Sequence, residues 1–476
     1  MAGITNFGAY VPIWRLSRET VAKAWGMATA RGERSVADFD EDSITMAVEA
    51  GSDCLRGFDR KGVDGLFLAS TSFPYREKQS AAMVGAVLDL REDIVTNDFG
   101  NSLRTGSLAL KAAYDAVNSG TAQNMLIAAA DCRLGYPNTA DEQAFGDGAT
   151  ALMVGNKNVI CEIEGYYTFS NEIIDIWRTD KQQFVNSWEA RFVLTHGYNE
   201  CMKKAISGVM NKCGLEPADF TRIAIYGPDA RSRQGLAGSL GFDAKAQIKD
   251  SLLDEVGNTG ASSALMALVA ALEEAKPDDR ILFASYGDGA DAFVLKVTAE
   301  IEKVKDGRGV RGYINSKRLL PSYEKYLLYR ELLEQPVEIF NIDSAATTLW
   351  RDRRWVLRGH GSRCRKCGTL TFPIERVCYN CQSKDDFDEV RITDSKATVF
   401  TFSRDRLAGS SAEPSIVQVV AESGEGKTRI YAIMTDCDPE EVEVGLPLEM
   451  TFRKIREARG YHNYFWKFRP LRKGES

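Results

Sequence analysis

Two copies of one ten-residue segment constrain the fold of this chain more than any other feature. Phe145–Val154 reads FGDGATALMV, and Tyr286–Leu295 reads YGDGADAFVL. Each copy follows an apolar strand, and upstream of each lies a Gly-containing turn with an Ala-rich helix, at Gly100–Val117 and Gly257–Leu272. Coincidental Gly-Asp-Gly turns would not explain why the flanking elements repeat as well. We therefore predict a duplicated α/β unit, with halves near residues 1–165 and 166–300 and a site between the two buried helix N-termini.

The first of these helices follows a strand-to-helix turn within Val95–Ala113. Small residues recur at helical spacing after the turn, which is typical of a helix buried on most sides. Free N–H groups and the helix dipole favour an anion at such a helix N-terminus. Many enzymes place a nucleophile there, often cysteine. Leu103 stands at this position and carries no nucleophilic atom.

Short apolar segments alternate with helical ones through residues 1–300. Gly65–Ser70 and Asn124–Ala130 are typical of buried strands, whereas Asp42–Leu55 has helical spacing with Asp42 or Ser43 as its cap. This alternation predicts a mixed or parallel sheet covered by helices.

The charge and hydropathy of the chain exclude several classes of protein. A formal net charge of −7 over 476 residues argues against nucleic acid as a main partner. No apolar stretch approaches the roughly 18 residues of a membrane span, and the N-terminal residues have the pattern of a strand. We therefore expect a cytoplasmic protein without a membrane span.

Four of the ten cysteines form two C-x-x-C pairs, Cys364 with Cys367 and Cys378 with Cys381, separated by ten residues. Paired turns of this kind bring four thiolates to tetrahedral distances, which suits a structural zinc ion. Disulfides or redox pairs are the alternative interpretations. The other six cysteines are scattered, and we expect them to be mostly buried free thiols.

The last part of the chain contains short strand-like segments separated by turn signals. They lie at Ala397–Ser403, Ile416–Val420, Arg429–Met434, Gly445–Phe452 and Tyr464–Arg469. Five strands in roughly 80 residues suggest a small closed barrel, most simply an OB-fold. The expected order of domains is two α/β halves (1–165 and 166–300), a helical connector (301–349), a zinc ribbon (350–385) and an OB-fold (386–476).

Residues 1–300 resemble the thiolase superfamily, specifically the hydroxymethylglutaryl-CoA synthase branch, which is close to ketoacyl-ACP synthase III. The motifs that carry the resemblance are Gly3–Pro12, Ala69–Tyr75, Phe145–Ala149 and Gly257–Gly260. Residues 350–476 resemble the rubredoxin-like zinc ribbon and OB-fold proteins that accompany thiolase-like enzymes acting on acyl-CoA. The resemblance implies a layered α-β-α-β-α fold, a CoA thioester as substrate and a homodimer, which could join a hetero-complex with another acyl-CoA enzyme.

The sequence departs from that family at three of its four catalytic positions. The resemblance places the catalytic cysteine at Leu103, the general-acid glutamate near Thr71 and the catalytic histidine at Tyr226, and Asn258 alone matches. We expect Leu103 and Thr71 to contact substrate rather than to act on it. Without a thiolate, the covalent acyl-enzyme route of the family is not open to Leu103.

Two of these residues can still perform chemistry. The amide of Asn258 suits a thioester or enolate oxygen, although a turn residue that tolerates positive φ is the alternative. Tyr226 can carry a proton to or from a β-hydroxyl, or it can be a packed aromatic at a strand end. Cys132 is a possible substitute nucleophile. Arg231 and Arg233 could meet CoA phosphates or remain solvated, and His196 is expected to be packed or exposed rather than catalytic.

Three functions are consistent with these residues. The first is an enzyme that forms or cleaves a C–C bond β to a CoA thioester by a cysteine-independent aldol or retro-aldol route. The second is a non-catalytic acyl-CoA-binding scaffold or partner subunit. The third is a hydroxymethylglutaryl-CoA synthase-type acyltransferase with another nucleophile.

Overall fold

The computed structural model describes residues 2–28, 31–248, 250–304, 307–335, 344–423 and 428–472. Within them the chain forms two compact units: unit 1 comprises residues 2–37 and 42–326, and unit 2 comprises residues 38–41 and 327–472. The boundary at residue 326 lies inside the segment expected to be a connector. Residues 336–343 of that segment lie outside the described residues.

The strands of unit 1 provide the frame that carries the candidate site. In chain order they are β1 (Gly3–Tyr10), β2 (Trp14–Ser17), β3 (Glu33–Val36), β4 (Gly65–Ala69), β5 (Val95–Phe99), β6 (Asn124–Asp131), β7 (Gly148–Gly155), β8 (Cys161–Ser170), β9 (Ile176–Trp177), β10 (Asn186–Ser187), β11 (Arg222–Ile225), β12 (Arg280–Tyr286), β13 (Gly289–Val297) and β14 (Arg318–Leu319).

The pairing of these strands confirms the duplication. In each half a parallel pair continues into an antiparallel pair: β4 pairs with β6 and β6 with β7, while β11 pairs with β12 and β12 with β13. Nine of the described strands of unit 1 join in one mixed sheet in the order β11-β12-β13-β8-β1-β7-β6-β4-β5. β9 pairs with β10, and a separate small sheet has the order β14-β2-β3. β8 links the halves, because it pairs with both β13 and β1. β5 lies at one edge, and Val95 on it is 62% exposed.

The helices of unit 1 lie among these strands. They are α1 (Arg18–Trp25), α2 (Ser43–Cys54), α3 (Ser80–Val87), α4 (Thr105–Asn118), α5 (Ala140–Ala144), α6 (Ala190–Phe192), α7 (Glu200–Cys213), α8 (Ala230–Ser239), α9 (Ala244–Gln247), α10 (Leu252–Glu255), α11 (Ser263–Glu273) and α12 (Gly309–Asn315). The helix α13 (Tyr323–Tyr329) contains the boundary between the units. Across the described ranges, no helix has the length and apolarity that a bilayer crossing requires.

Three helices show how sequence and packing agree. α2 begins at the predicted cap, because the Asp42 carboxylate accepts hydrogen bonds from the backbone N–H groups of Ile44 and Thr45. α4 packs on β4, β6 and β7 of its own half, and α11 packs on β11 and β12 as well as on β1 and β7. Small residues allow this close approach: a Cβ on Gly106 of α4 would lie 2.8 Å from the carbonyl oxygen of Ala261, just before α11. The two helix N-termini therefore meet, as the duplication predicts.

Unit 2 contains a helix and two small sheets. Its helix is α14 (Ala346–Val356), and its strands are β15 (His360–Cys364), β16 (Leu370–Thr371), β17 (Phe387–Arg391), β18 (Ala397–Asp405), β19 (Ile416–Ser423), β20 (Arg429–Ile433), β21 (Pro447–Ala458) and β22 (Tyr461–Pro470). The first three strands pair in the order β16-β15-β17, and the other five pair antiparallel in the order β20-β19-β18-β21-β22. The five predicted C-terminal strands are thus all present, while the OB-fold itself stays a prediction.

A buried ion network contributes to the interior of unit 2. Arg453, which is fully buried, pairs with Asp40 at 3.1 Å, with Glu41 at 2.7 Å and with Asp436 at 2.7 Å. Lys467 pairs with Asp40 at 2.8 Å. Because buried charges are costly unless they are paired, the four-residue segment 38–41 is an integral part of this unit.

Candidate functional site

Tyr226 and Asn258 form a hydrogen-bonded pair in the interior of unit 1. Tyr226 directly follows β11, and Asn258 lies in the turn that precedes α11. Nδ2 of Asn258 donates to the phenol oxygen of Tyr226 at 2.9 Å, and Oδ1 of Asn258 accepts from the N–H of Gly260 at 3.0 Å. Both residues are at least 97% buried. The amide is thus held in one orientation: one N–H of Nδ2 donates to Tyr226, and the other makes no hydrogen bond within the described residues.

The turn before Asn258 requires glycine. Gly257 has φ +91°, and a Cβ on it would lie 2.8 Å from the carbonyl oxygen of Ala144 and 3.0 Å from the N–H nitrogen of Gly146. This close approach brings Asn258 beside the first copy of the repeated segment, where its backbone forms a parallel β-bridge with Phe145. The two halves therefore meet at Asn258.

The phenol proton of Tyr226 is available for transfer. The hydroxyl accepts from Asn258, and within the described residues it donates to no acceptor. Burial raises the pKa of Tyr226, whereas the cation of Arg133 and the hydrogen bond from Asn258 act in the opposite direction. The phenol is therefore the resting form at neutral pH.

Two further tyrosines surround Tyr226. The rings of Tyr198 and Tyr286 lie 6.2 and 6.0 Å from it, and the hydroxyl of Tyr198 donates to its backbone carbonyl at 2.8 Å. The hydroxyl of Tyr286 in turn hydrogen-bonds to the carboxylate of Asp175. Burial raises the pKa of Asp175, which is 4% exposed. Sequence reasoning missed Asp175, because it lies in an irregular segment with no motif, 111 residues from Tyr286.

Asp131, at the end of β6, fixes the position of Thr71. The carboxylate is fully buried and accepts from the N–H of Thr71 at 2.7 Å and from its hydroxyl at 2.9 Å. It also accepts from the hydroxyls of Ser70 and Ser72 and from the N–H of Ala261. Asp131 thereby connects the loop after β4 to the turn that carries Asn258. The hydroxyl hydrogen of Thr71 is therefore engaged in a hydrogen bond to Asp131 and is not directed at a substrate as a general acid would be.

Leu103 lies two residues before α4 and is 8% exposed, so its side chain is packed rather than presented at the surface. The backbone of Gly287 approaches it closely: a Cβ on Gly287 would lie 2.8 Å from the backbone nitrogen of Leu103. Gly287 follows Tyr286, whose ring neighbours Tyr226. The backbone at Leu103 is thus linked through Gly287 and Tyr286 to Tyr226 and Asn258, and Asp131 links Thr71 to the turn that carries Asn258.

The remaining candidates lie in other environments. His196 is exposed and hydrogen-bonds to Glu200 at 2.8 Å, and Arg231 is exposed. Arg233 is buried and pairs with Asp250 at 2.8 Å, so it is not available to CoA phosphates. Cys132 is half-buried, and its backbone N–H donates a hydrogen bond to the hydroxyl oxygen of Ser72. Of the other scattered cysteines, Cys54, Cys161 and Cys201 are buried, and Cys213 and Cys437 are half-buried.

The four clustered cysteines of unit 2 are positioned to bind a metal ion. The Sγ atoms of Cys364, Cys367, Cys378 and Cys381 all lie within 4.8 Å of one another. Cys364 and Cys381 are 3.6 Å apart, and Cys367 and Cys378 are 3.5 Å apart. These separations suit four thiolates around one ion and exceed a disulfide bond of about 2.05 Å.

Comparisons with known proteins agree with both units. Residues 210–297 match the family of the 3-oxoacyl-[acyl-carrier-protein] synthase III C-terminal domain, and residues 361–388 match the ChsH2 rubredoxin-like zinc ribbon domain. The hydroxymethylglutaryl-CoA synthase of Methanopyrus kandleri is 31% identical over 343 residues, which cover 70% of this chain and 98% of that protein. The synthase of Archaeoglobus fulgidus is 32% identical over 345 residues, which cover 70% of this chain and all of that protein.

The chain belongs to the hydroxymethylglutaryl-CoA synthase family.

A solved structure agrees with this assignment at the level of the fold. The HMG synthase of the curacin biosynthetic pathway, in complex with an acetyl donor-ACP, matches with a TM-score of 0.63 at 20% identity. The match covers 69% of this chain and 88% of that protein. The family has a thiolase-like fold, and in this chain the zinc ribbon and the C-terminal sheet accompany it.

Proposed function

We propose that this chain forms or cleaves a C–C bond β to a CoA thioester by an aldol or retro-aldol route that needs no acyl-enzyme. The Tyr226–Asn258 pair carries the proposal, because it combines a transferable proton with an oriented amide donor at the junction of the halves. Leu103 supplies no thiol, but an aldol step requires none.

In the retro-aldol direction, Tyr226 can carry out both proton transfers that the reaction requires. Its phenolate takes the proton of the β-hydroxyl, the Cα–Cβ bond breaks, and the β-carbon becomes a carbonyl. The electron pair of the broken bond moves onto the thioester oxygen, and the resulting enolate oxygen accepts a hydrogen bond from the second N–H of Asn258. The phenol then returns the proton to the α-carbon. Condensation is the same sequence reversed.

A non-catalytic acyl-CoA-binding scaffold is the alternative. It is supported by the hydrogen bonds that commit Thr71 to Asp131 and by the apolar side chain of Leu103. A synthase that uses Cys132 as its nucleophile has less support. A thiol needs a base, and His196, the one histidine in the sequence of unit 1, is exposed and hydrogen-bonded to Glu200.

The proposal extends to cofactor, assembly and location. Four thiolates suit zinc, which would hold the ribbon together without taking part in the reaction. We propose a homodimer through the exposed edge strand β5, assembly with another acyl-CoA enzyme, and a cytoplasmic location. Light scattering of the purified chain at micromolar concentration should give twice the mass of one chain, and a stable monomer would contradict the dimer.

Incubation of the full chain with hydroxymethylglutaryl-CoA, followed by separation of the CoA thioesters, tests the reaction. The proposed route predicts acetyl-CoA and acetoacetate as products, without acylation of the protein. An acyl adduct on Cys132 would favour the synthase instead. Binding of the thioester by calorimetry without turnover of any β-hydroxyacyl-CoA would favour the scaffold.

A further inference from the structure

A fully buried carboxylate, that of Glu142, lies on the short helix α5 just before the first copy of the repeated segment. Its Oε2 accepts a hydrogen bond from Nε1 of Trp25 at 3.1 Å and another from the backbone N–H of Asn138 at 2.8 Å. Its Oε1 accepts from the hydroxyl of Tyr323. In the ranges that the structure describes, no cation pairs with this carboxylate, so three neutral donors compensate for the water it has lost.

The position of α5 depends on these contacts. The helix has five residues, which are too few for a helix that is stable on its own. The carboxylate of Glu142 ties it to Trp25 at the end of α1 and to Tyr323 at the start of α13. The backbone carbonyl of Glu142 also accepts from the buried guanidinium of Arg34. Loss of the side chain would therefore release α5 from two neighbouring helices.

The residues that follow Glu142 hold the backbone of Asn258. The N–H of Asn258 donates to the carbonyl of Ala144, the last residue of α5, at 2.7 Å. The carbonyl of Asn258 accepts from the N–H of Gly146 at 3.0 Å. Both polar backbone groups of Asn258 are thus bonded to residues two and four positions after Glu142. A displacement of α5 would move the Asn258 amide, and a donor to a developing oxyanion is effective only when its position is fixed.

We propose that Glu142 is a positioning residue, which holds α5 against α1 and α13 and thereby sets the place of the Asn258 amide for the reaction. The inference rests on the proposed role of Asn258 as a hydrogen-bond donor to the enolate oxygen. Glu142 is itself engaged by its three donors, so it acts on the reaction through Asn258.

A double-mutant cycle with Asn258, measured on the full chain with hydroxymethylglutaryl-CoA, tests this role. Glu142→Ala should lower kcat by about 10²-fold, the cost of a displacement of ~1 Å, and change KM less, because Asn258 stabilises the enolate more than the thioester. In a chain that already carries Asn258→Ala, the same substitution should lower kcat no further. Glu142→Gln should retain most of kcat, because the hydroxyl of Tyr323 can accept from the new N–H while the amide oxygen accepts from the other two donors.

Two further variants keep the test decisive. Asp53→Ala is the matched control, because the carboxylate of Asp53 is also buried and accepts from three backbone N–H groups. It should cost stability in denaturant titrations and leave kcat nearly unchanged. Tyr323→Phe removes one of the three donors to Glu142 and replaces Glu142→Ala if that variant does not fold. It should lower kcat by a smaller factor, and only in the chain that retains Asn258.

Hydrogen exchange separates this inference from the proposed function. The N–H of Asn258 is protected by the carbonyl of Ala144, so Glu142→Ala should accelerate its exchange at short times, whereas Asp53→Ala should not. An inactive unmodified chain would overturn the proposed function, and the exchange of Asn258 would still decide whether Glu142 positions it. Unchanged exchange at Asn258, or an equal loss of kcat with and without its amide, would show that Glu142 is a structural residue and that the inference is wrong.

Discussion

Replacement of Tyr226 by Phe should separate the chemistry of the site from its stability. The ring remains in place, but the proton carrier is lost and the buried Nδ2 of Asn258 loses its acceptor. An unsatisfied buried donor costs about 1–3 kcal/mol of folding free energy, which leaves a domain of this size folded. Loss of a general acid–base group reduces turnover by about 10²–10⁴-fold. We therefore expect a modest loss of stability with a large loss of activity.

Tyr198→Phe is the matched control. Tyr198 is as deeply buried, its ring lies 6.2 Å from that of Tyr226, and its hydroxyl also makes one hydrogen bond. Both variants should lose comparable stability in denaturant titrations, but Tyr198→Phe should keep most of its retro-aldol rate with hydroxymethylglutaryl-CoA. Equal activities of the two variants would refute the assignment of Tyr226 as proton carrier.

The pH dependence of the cleavage rate is a second test of Tyr226. Because burial raises the pKa of Tyr226, its phenolate is a minor species at neutral pH, and its fraction grows tenfold with each pH unit below the pKa. The logarithm of kcat/KM for cleavage should therefore rise with unit slope above pH 7. A profile that is flat between pH 7 and 9 would exclude a phenolate base.

Three more predictions follow from other parts of the molecule. Leu103→Cys places a thiol at the N-terminus of α4, where its pKa should fall, and intact-mass spectrometry with acetyl-CoA should show one acetyl group on the variant and none on the unmodified chain. Cys378→Ser should remove the zinc, which metal analysis of the purified chain should otherwise find at one ion per chain; zinc that is absent from the unmodified chain or unchanged in the variant would contradict the site. Burial raises the pKa of Glu273 to about 7 from an unfolded value of 4.5, so the folded state binds the extra proton between these values and stability falls as pH rises through that window, by up to about 1.4 kcal/mol per unit. Glu273→Gln should make this slope less steep in denaturant titrations at pH 5 and pH 7.5, and an unchanged slope would contradict the shift.

The sequence predicted the elements of unit 1 well because their signals are local. The two copies of the Gly-Asp-Gly segment, the cap at Asp42 and the apolar strands depend on neighbouring residues, and the structure confirms them. The C-x-x-C spacing likewise predicted the cysteine cluster. Each of these patterns is encoded within a few residues of the feature it specifies.

The parts of the site that the sequence did not reveal depend on contacts across long stretches of chain. Asp131 meets Ala261 over 130 residues, and Asp175 meets Tyr286 over 111. No local sequence pattern predicts either contact. From the sequence alone, neither aspartate can be distinguished from an aspartate that has no such partner. The close approach of Gly287 to the backbone of Leu103 is a third contact between distant parts of the chain.

The tetrapeptide Asp38–Glu41 has a practical consequence for dissecting the chain. A fragment that starts at residue 327 would contain the C-terminal part of unit 2, yet it would lack Asp40 and Glu41. Of the ion pairs of Arg453 named above, the fragment would keep the one with Asp436 and lose those with Asp40 and Glu41, and Lys467 would lose the carboxylate of Asp40. Such a fragment should be insoluble or unfolded, whereas the same fragment supplied with residues 38–41 through a short linker should be recoverable. Residues 38–41 and the C-terminal part of the chain should therefore change together in evolution. A gene that acquired the C-terminal part of a relative would also need that relative's codons for residues 38–41.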